Sequence, residues 1–240
     1  MPNIEVEGYV LHRMPYRETS LLIDVFSESM GIVRGVAKGV RGSKTDRKSL
    51  LQPFQPLVVS VSGRHELKNF GRVEAKGAPL NLVHNSLFCG FYVNELLNRA
   101  LPKRLPAEDL YHHYFPMLEA LASFPVDAKV ADFEPLLRTF ELLLLDETGY
   151  LPDFSHCADS GQPIRRESVY QFVVEGGFCE SKLQTAVHSD YFFGYELMKI
   201  AQQQWDQQSL PAAKRLMRLA LPAVIGAKPL NSRTLFTGVR

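Results

Sequence analysis

Long apolar runs are missing from this chain. No stretch approaches the roughly 20 residues that a membrane-spanning helix needs, and the first ten residues, MPNIEVEGYV, lack the basic-then-apolar pattern of a secretory leader. The expectation is a cytoplasmic protein with no membrane partner. Cysteine is scarce: Cys89, Cys157 and Cys179 are odd in number and widely spaced, which argues against a disulfide framework and fits a reducing compartment. The phosphate-cradling GxxxxGK[ST], the dinucleotide GxGxxG and the metalloprotease HExxH are all absent. With them go the commonest sequence signs of nucleotide hydrolysis, hydride transfer and zinc proteolysis, and the expectation is a protein that is not an enzyme.

What is present is ordinary globular composition, 45% hydrophobic and 22% charged, so a buried core is expected. The net charge is only +1, yet it is unevenly placed. Between Gly31 and Lys76 stand ten Lys/Arg against Asp46, Glu66 and Glu74, a net +7; residues 77–240 carry 15 Lys/Arg and 18 Asp/Glu, a net −3. A near-neutral protein with one concentrated basic region points to a local anionic partner, unless the cluster is merely a solvated face.

Five short segments rich in β-branched residues, 4–11, 21–26, 32–40, 57–61 and 67–73, fall within the first 78 residues. Five strands in so short a span must close on themselves to bury their faces, and the five-stranded OB-fold is the economical answer. From Asn81 the period changes to the i, i+4 spacing of amphipathic helices. Helices are expected from Asn81 onward through Val83 to Leu96, within 108–124 with an interruption at Pro116, over 130–148 with a stop at Gly149, over about 190–205, and over 211–224. A strand is expected at 169–174. The fold class is therefore α+β: an OB-fold nucleic-acid-binding domain over 1–78, then a mainly α-helical domain over 79–240 that carries an irregular insert at about 151–183.

The candidate site is the basic hairpin. Alternate residues of a strand share a face, so Arg34, Val36 and Lys38 oppose Val33, Gly35, Ala37 and Gly39. The following loop adds Arg41, Lys44, Arg47 and Lys48 around Gly42 and Ser43. The same alternation in the fifth strand puts Lys68, Phe70 and Arg72 on one face. Cation, ring, cation suits single-stranded nucleic acid, whose phosphates need charge and whose bases need a surface to stack on; the competing reading has Phe70 in the core of a strand with another phase. Neither His156-Cys157 nor Cys179 has the surroundings of a nucleophile or of a four-ligand zinc site. The carboxylates Asp146 and Glu147 read as a solvated helix end. Six Lys/Arg after Asp206, with no acid, make a second and weaker candidate for anion binding.

Five stretches resemble the RecO family of recombination mediators in the same order along the chain: ETSLLIDVFSESMGIVRGVAKGVRGSK, LQPFQPLVVSVSGRHELKNF, FCGFYVNELLNR, LLRTFELLLLDETGY and GAKPLNSRTLF. The resemblance implies binding to single- and double-stranded DNA and annealing of complementary strands. It implies as partners RecR and the acidic C-terminal tail of single-stranded-DNA-binding protein, with RecA loading as the outcome and a nucleoid-associated location. It also implies a zinc-finger-like insert. Family members that carry zinc have C-x-x-C twice; here CADS and GGFCES keep one cysteine each. On that ground the insert is expected to be metal-free and the chain to have no cofactor. For docking the partner's tail, which ends in Phe and a free carboxylate, Arg138 beside Leu137 is the candidate, with an ion pair to Glu134 or Glu141 as the alternative. Two other functions stay open on the residues alone: an OB-fold RNA-binding accessory protein, and a hydrolase using Cys157 or a carboxylate pair. Elemental analysis of the purified protein is expected to find no stoichiometric zinc, and a chelator to leave the fold intact; about one zinc per chain would contradict this.

Overall fold

The computed structural model describes residues 3–41, 47–183, 185–186 and 188–236. Lys44, one of the candidate cations, lies outside them. Strands β1 (Ile4–Tyr16), β2 (Ser20–Ser27), β3 (Gly31–Ala37), β4 (Pro56–Ser62) and β5 (Lys68–Ala75) form a closed barrel in the order β1-β2-β3-β5-β4. All neighbours are antiparallel except β3 and β5. A short helix α1 (Arg47–Leu50) connects β3 to β4. The alternation read in the sequence closes the barrel: Val6 and Val10, Ile23 and Val25, Val33 and Ala37, Val59 and Val61 all turn inward to one core.

The phase fails in the fifth strand. Val59 pairs with Val73 and Val61 with Phe70, so a step of two residues on β4 spans a step of three on β5. The extra residue is a β-bulge near Gly71 and Arg72, which resets the alternation. Phe70 and Val73 therefore both point into the core, and Phe70 is only 4% exposed. Its ring fills the space beside Gly35, where a Cβ would lie 2.3 Å from a ring carbon.

Outside the barrel, helices α2 (His84–Ala100) and α3 (Glu108–Ser123) pack on the β1–β2 side. Tyr9 and Phe26, which face outward, meet Tyr114 edge-on at ring-centroid separations of 5.0 and 6.0 Å. The buried Tyr114 hydroxyl donates to Asn94 Oδ1 at 2.6 Å, and Asn94 Nδ2 donates to the Leu11 carbonyl at 3.2 Å. Strand and both helices are thus joined by one satisfied polar chain. The expected break at Pro116 does not occur. Pro116 sits on the exposed side of α3, where water can satisfy the carbonyl it orphans, while Leu110, Tyr114, Met117, Leu118 and Leu121 hold the buried side.

By packing, the chain divides into one unit of residues 1–130 with 229–240 and a second of 131–228. The barrel's last strand and the edge of its compact unit are different places in the chain. In the first unit, α7 (Ser232–Leu235) returns to α2, where the Glu95 carboxylate accepts from the Asn231 and Ser232 backbone N–H groups at 2.9 and 2.8 Å.

A 3-10 turn (Val130–Phe133) at the start of the second unit leads into α4 (Glu134–Glu147). That helix stops where the sequence places its stop. Gly149 has φ +75°, and the Tyr150 N–H closes back on the Leu145 carbonyl at 2.7 Å. A three-stranded antiparallel sheet follows, from β6 (Val169–Val173), β7 (Gly177–Glu180) and β8 (Tyr191–Phe193) in the order β7-β6-β8. Helices α5 (Gly194–Ala201) and α6 (Ser209–Ile225) complete the unit, α6 packing on α4. Gly35→Ala is expected to cost about 1–3 kcal/mol by overpacking the barrel against Phe70, read as a lower midpoint in chemical denaturation; an unchanged midpoint would mean that the ring repacks without cost.

Candidate nucleic-acid interface

Asp24 stands opposite Arg34 on adjacent strands and is 2% exposed. The Arg34 guanidinium reaches it with two parallel hydrogen bonds, Nε to Oδ1 at 2.7 Å and Nη2 to Oδ2 at 2.8 Å. Lys103 Nζ lies 3.7 Å from the same carboxylate and donates to Asn98 Oδ1 at 2.7 Å. Burial pushes the Asp24 carboxyl up, but the Arg34 hydrogen bonds, Lys103 and Asn98 outweigh it and hold it below the ordinary range. Arg34 thus holds a structural pair through Nε and Nη2, while its side chain stays 43% exposed.

The other candidate cations separate into two groups. Lys68 is buried, its ammonium donating to the Gly63 carbonyl at 3.0 Å. Arg47 Nη2 donates to the Phe70 carbonyl at 3.2 Å and ties α1 to β5. Arg72 is exposed and pairs with Glu74 on its own strand. Phe70, in the core, offers no face to a base; the cation-ring-cation surface expected on β5 does not exist, because the bulge puts its members on different sides. Lys38, in the turn after β3, and Arg41 and Lys48 are exposed.

One of these exposed cations, Arg41, meets an element that the sequence pattern does not single out, the tip of the β1–β2 hairpin. The Arg41 N–H donates to the Thr19 carbonyl at 2.8 Å, and its guanidinium donates to the Arg17 carbonyl at 3.1 Å. Arg17 is exposed and lies 5.3 Å over the Tyr16 ring. The signal available in sequence is a Tyr-Arg pair between two strands, which reads as ordinary turn composition.

Arg138 is 8% exposed, with Nη1 2.8 Å from Oε2 of the fully buried Glu141 one turn along α4. A carboxylate arriving from outside would have to displace a buried one, so the docking role expected for Arg138 gives way to the intrahelical pair. Cys157 is buried; its thiol donates to Asp159 Oδ1 at 3.0 Å and accepts the Glu180 N–H at 3.1 Å. Burial and the Asp159 hydrogen bond push that thiol up, away from nucleophilic use. Burial likewise pushes Cys89, in α2, up to about 12. Among the described residues no group of three or more His, Cys, Asp or Glu could hold a metal ion. No described helix is long and apolar enough to cross a membrane. Of the late basic residues, Lys214 pairs with Glu134 and Arg215 with Glu196, while Arg218 is exposed.

Barrel order, connecting helix and helical continuation define an OB-fold protein with a helical second part. The model of the family described as "Recombination protein O N terminal" matches residues 1–78, and that of "Recombination protein O C terminal" matches 84–234. The DNA repair protein RecO of Pseudoalteromonas atlantica is 46% identical over 232 residues, 97% of this chain and 93% of that protein. The RecO of Pectobacterium atrosepticum is 45% identical over 230 residues, covering 95% and 91%. That of Haemophilus influenzae strain PittGG is 40% identical over 231, covering 96% and 94%. The chain belongs to the RecO family, and its role is in DNA repair and recombination.

Asp24→Asn is expected to destabilise the fold by about 3 kcal/mol at neutral pH, since it leaves Arg34 and Lys103 facing each other without a counter-charge. A depressed carboxyl contributes stability that is present above its unfolded value of about 3.9 and is lost as pH falls through the lower folded value. The difference between wild type and variant should therefore shrink on acidification below about pH 4. Denaturation midpoints of the two proteins at pH 7 and at acid pH test this; equal midpoints at pH 7 would make the pair ornamental.

Proposed function

We propose that the barrel end carrying Lys38, Arg41 and Lys48 binds single- and double-stranded DNA without sequence preference and anneals complementary strands. The observation that carries this reading is charge placement. With Arg17 beside them, these cations sit exposed on the connections at one end of a barrel, and none of the four forms an ion pair among the described residues. Annealing makes and breaks no covalent bond. Two strands repel through their phosphates; a cationic surface that holds both screens the repulsion and raises their local concentration. Nothing in that task calls for a nucleophile, a metal or a cofactor.

In this reading the chain acts in the cytoplasm on DNA coated with single-stranded-DNA-binding protein, engages that protein's acidic tail and RecR, and helps RecA to load. Family membership supports these partners. Arg138, committed to Glu141, takes no part in holding the tail.

A variant with Lys38, Arg41, Lys44 and Lys48 replaced by Gln, which spares the structural role of Arg47, tests the interface. Its log affinity for a single-stranded oligonucleotide should fall less steeply with log salt, by about 0.7 for each phosphate no longer neutralised, and annealing should slow. Wild-type binding and annealing by the variant at every salt concentration would overturn the reading.

A further inference from the structure

We infer that Tyr16 is the residue on which a base of single-stranded DNA stacks, the place vacated by Phe70. This rests on the DNA-binding reading and deepens it. Tyr16 closes a hairpin in which Met14 pairs with Leu22 and Tyr16 with Ser20. Two residues apart on a strand, Met14 and Tyr16 share a side. Met14 is 46% exposed and Tyr16 half-buried, so this side of the hairpin presents a thioether and a ring to solvent. The outward rings elsewhere on β1 and β2, Tyr9 and Phe26, are covered by α3.

The next residue is strained. Arg17 adopts φ +51°, a left-handed conformation that a side chain makes costly and that glycine would take freely. The basic loop fixes that conformation from outside through the two hydrogen bonds from Arg41 to the tip. The result is a guanidinium lying over the Tyr16 ring, where it occupies a π-face by cation–π attraction. A nucleotide supplies a partner for each half of that arrangement. Its base is a flat π-surface for the ring, and its phosphate is a stronger attraction for the guanidinium than the ring is. On binding, Arg17 moves from ring to phosphate and the base takes the ring face. Duplex DNA, whose bases are already stacked, gains only the phosphate half.

The difference between the two halves is the test. Tyr16→Leu, Tyr16→Phe and Arg17→Gln are compared with wild type by fluorescence anisotropy against a labelled oligo-dT and a duplex of equal length, across a salt series. Tyr16→Leu should weaken oligo-dT binding about tenfold with its salt slope unchanged and duplex affinity unmoved, and Tyr16→Phe should restore the loss. Arg17→Gln should instead lower the salt slope. Irradiation of a complex with 5-iododeoxyuridine-substituted oligonucleotide should place the adduct on the peptide containing Tyr16. Wild-type oligo-dT affinity in Tyr16→Leu, an equal loss on duplex, or an adduct elsewhere would overturn the stacking role while leaving the interface in place. A wild-type protein that binds neither oligonucleotide would overturn the DNA-binding reading itself.

Discussion

One carboxylate organises the barrel's exterior. Asp24 is buried on β2, and a buried charge persists only when it is paired and hydrogen-bonded. Its needs draw in Arg34 from the neighbouring strand and Lys103 and Asn98 from α2 and the segment that follows it. The two parallel bonds from Arg34 lock β3 to β2, and Asn98 and Lys103 tie α2 and the segment after it to the same carboxylate. The aromatic layer of Tyr9, Phe26 and Tyr114 adds area to the same junction. Once this side is closed by helices, the exposed cations are left on the loops at the end of the barrel. The location of the proposed interface follows from what the ion pair and the rings have already covered.

Two kinds of cation thus share the basic region. Arg34, Arg47 and Lys68 make structural contacts with a carboxylate or with backbone carbonyls; Lys38, Arg41 and Lys48 are held outward. A count of charge along the sequence adds both kinds together. The +7 of residues 31–76 overstates what a polyanion would meet.

What is legible in the sequence follows the range of the interaction that decides it. Strand alternation is local, so the inward set Val33 and Ala37 and the five-stranded barrel can be read directly. The stop of α4 at Gly149 is legible for the same reason. The choice between the two readings of Phe70 is not, because one extra residue in β5 inverts the phase, and its signature is a pairing with β4 rather than a residue type. Arg34 escapes a sequence-based reading, and the choice between the two readings of Arg138 is not legible there, because each meets a carboxylate whose burial only the folded chain decides. Pro116 escapes it because a proline's cost depends on which side of a helix it faces.

The return of residues 229–236 to α2 has a temporal side. The Glu95 carboxylate finds its backbone partners at Asn231 and Ser232, and a ribosome makes the whole of 131–228 between them. At translation rates of about 5–20 residues per second, α2 spends on the order of ten seconds with that acid paired to Arg99 alone, its backbone partners still unmade. During that interval the intervening unit can already be folding. The barrel unit is begun first and finished last.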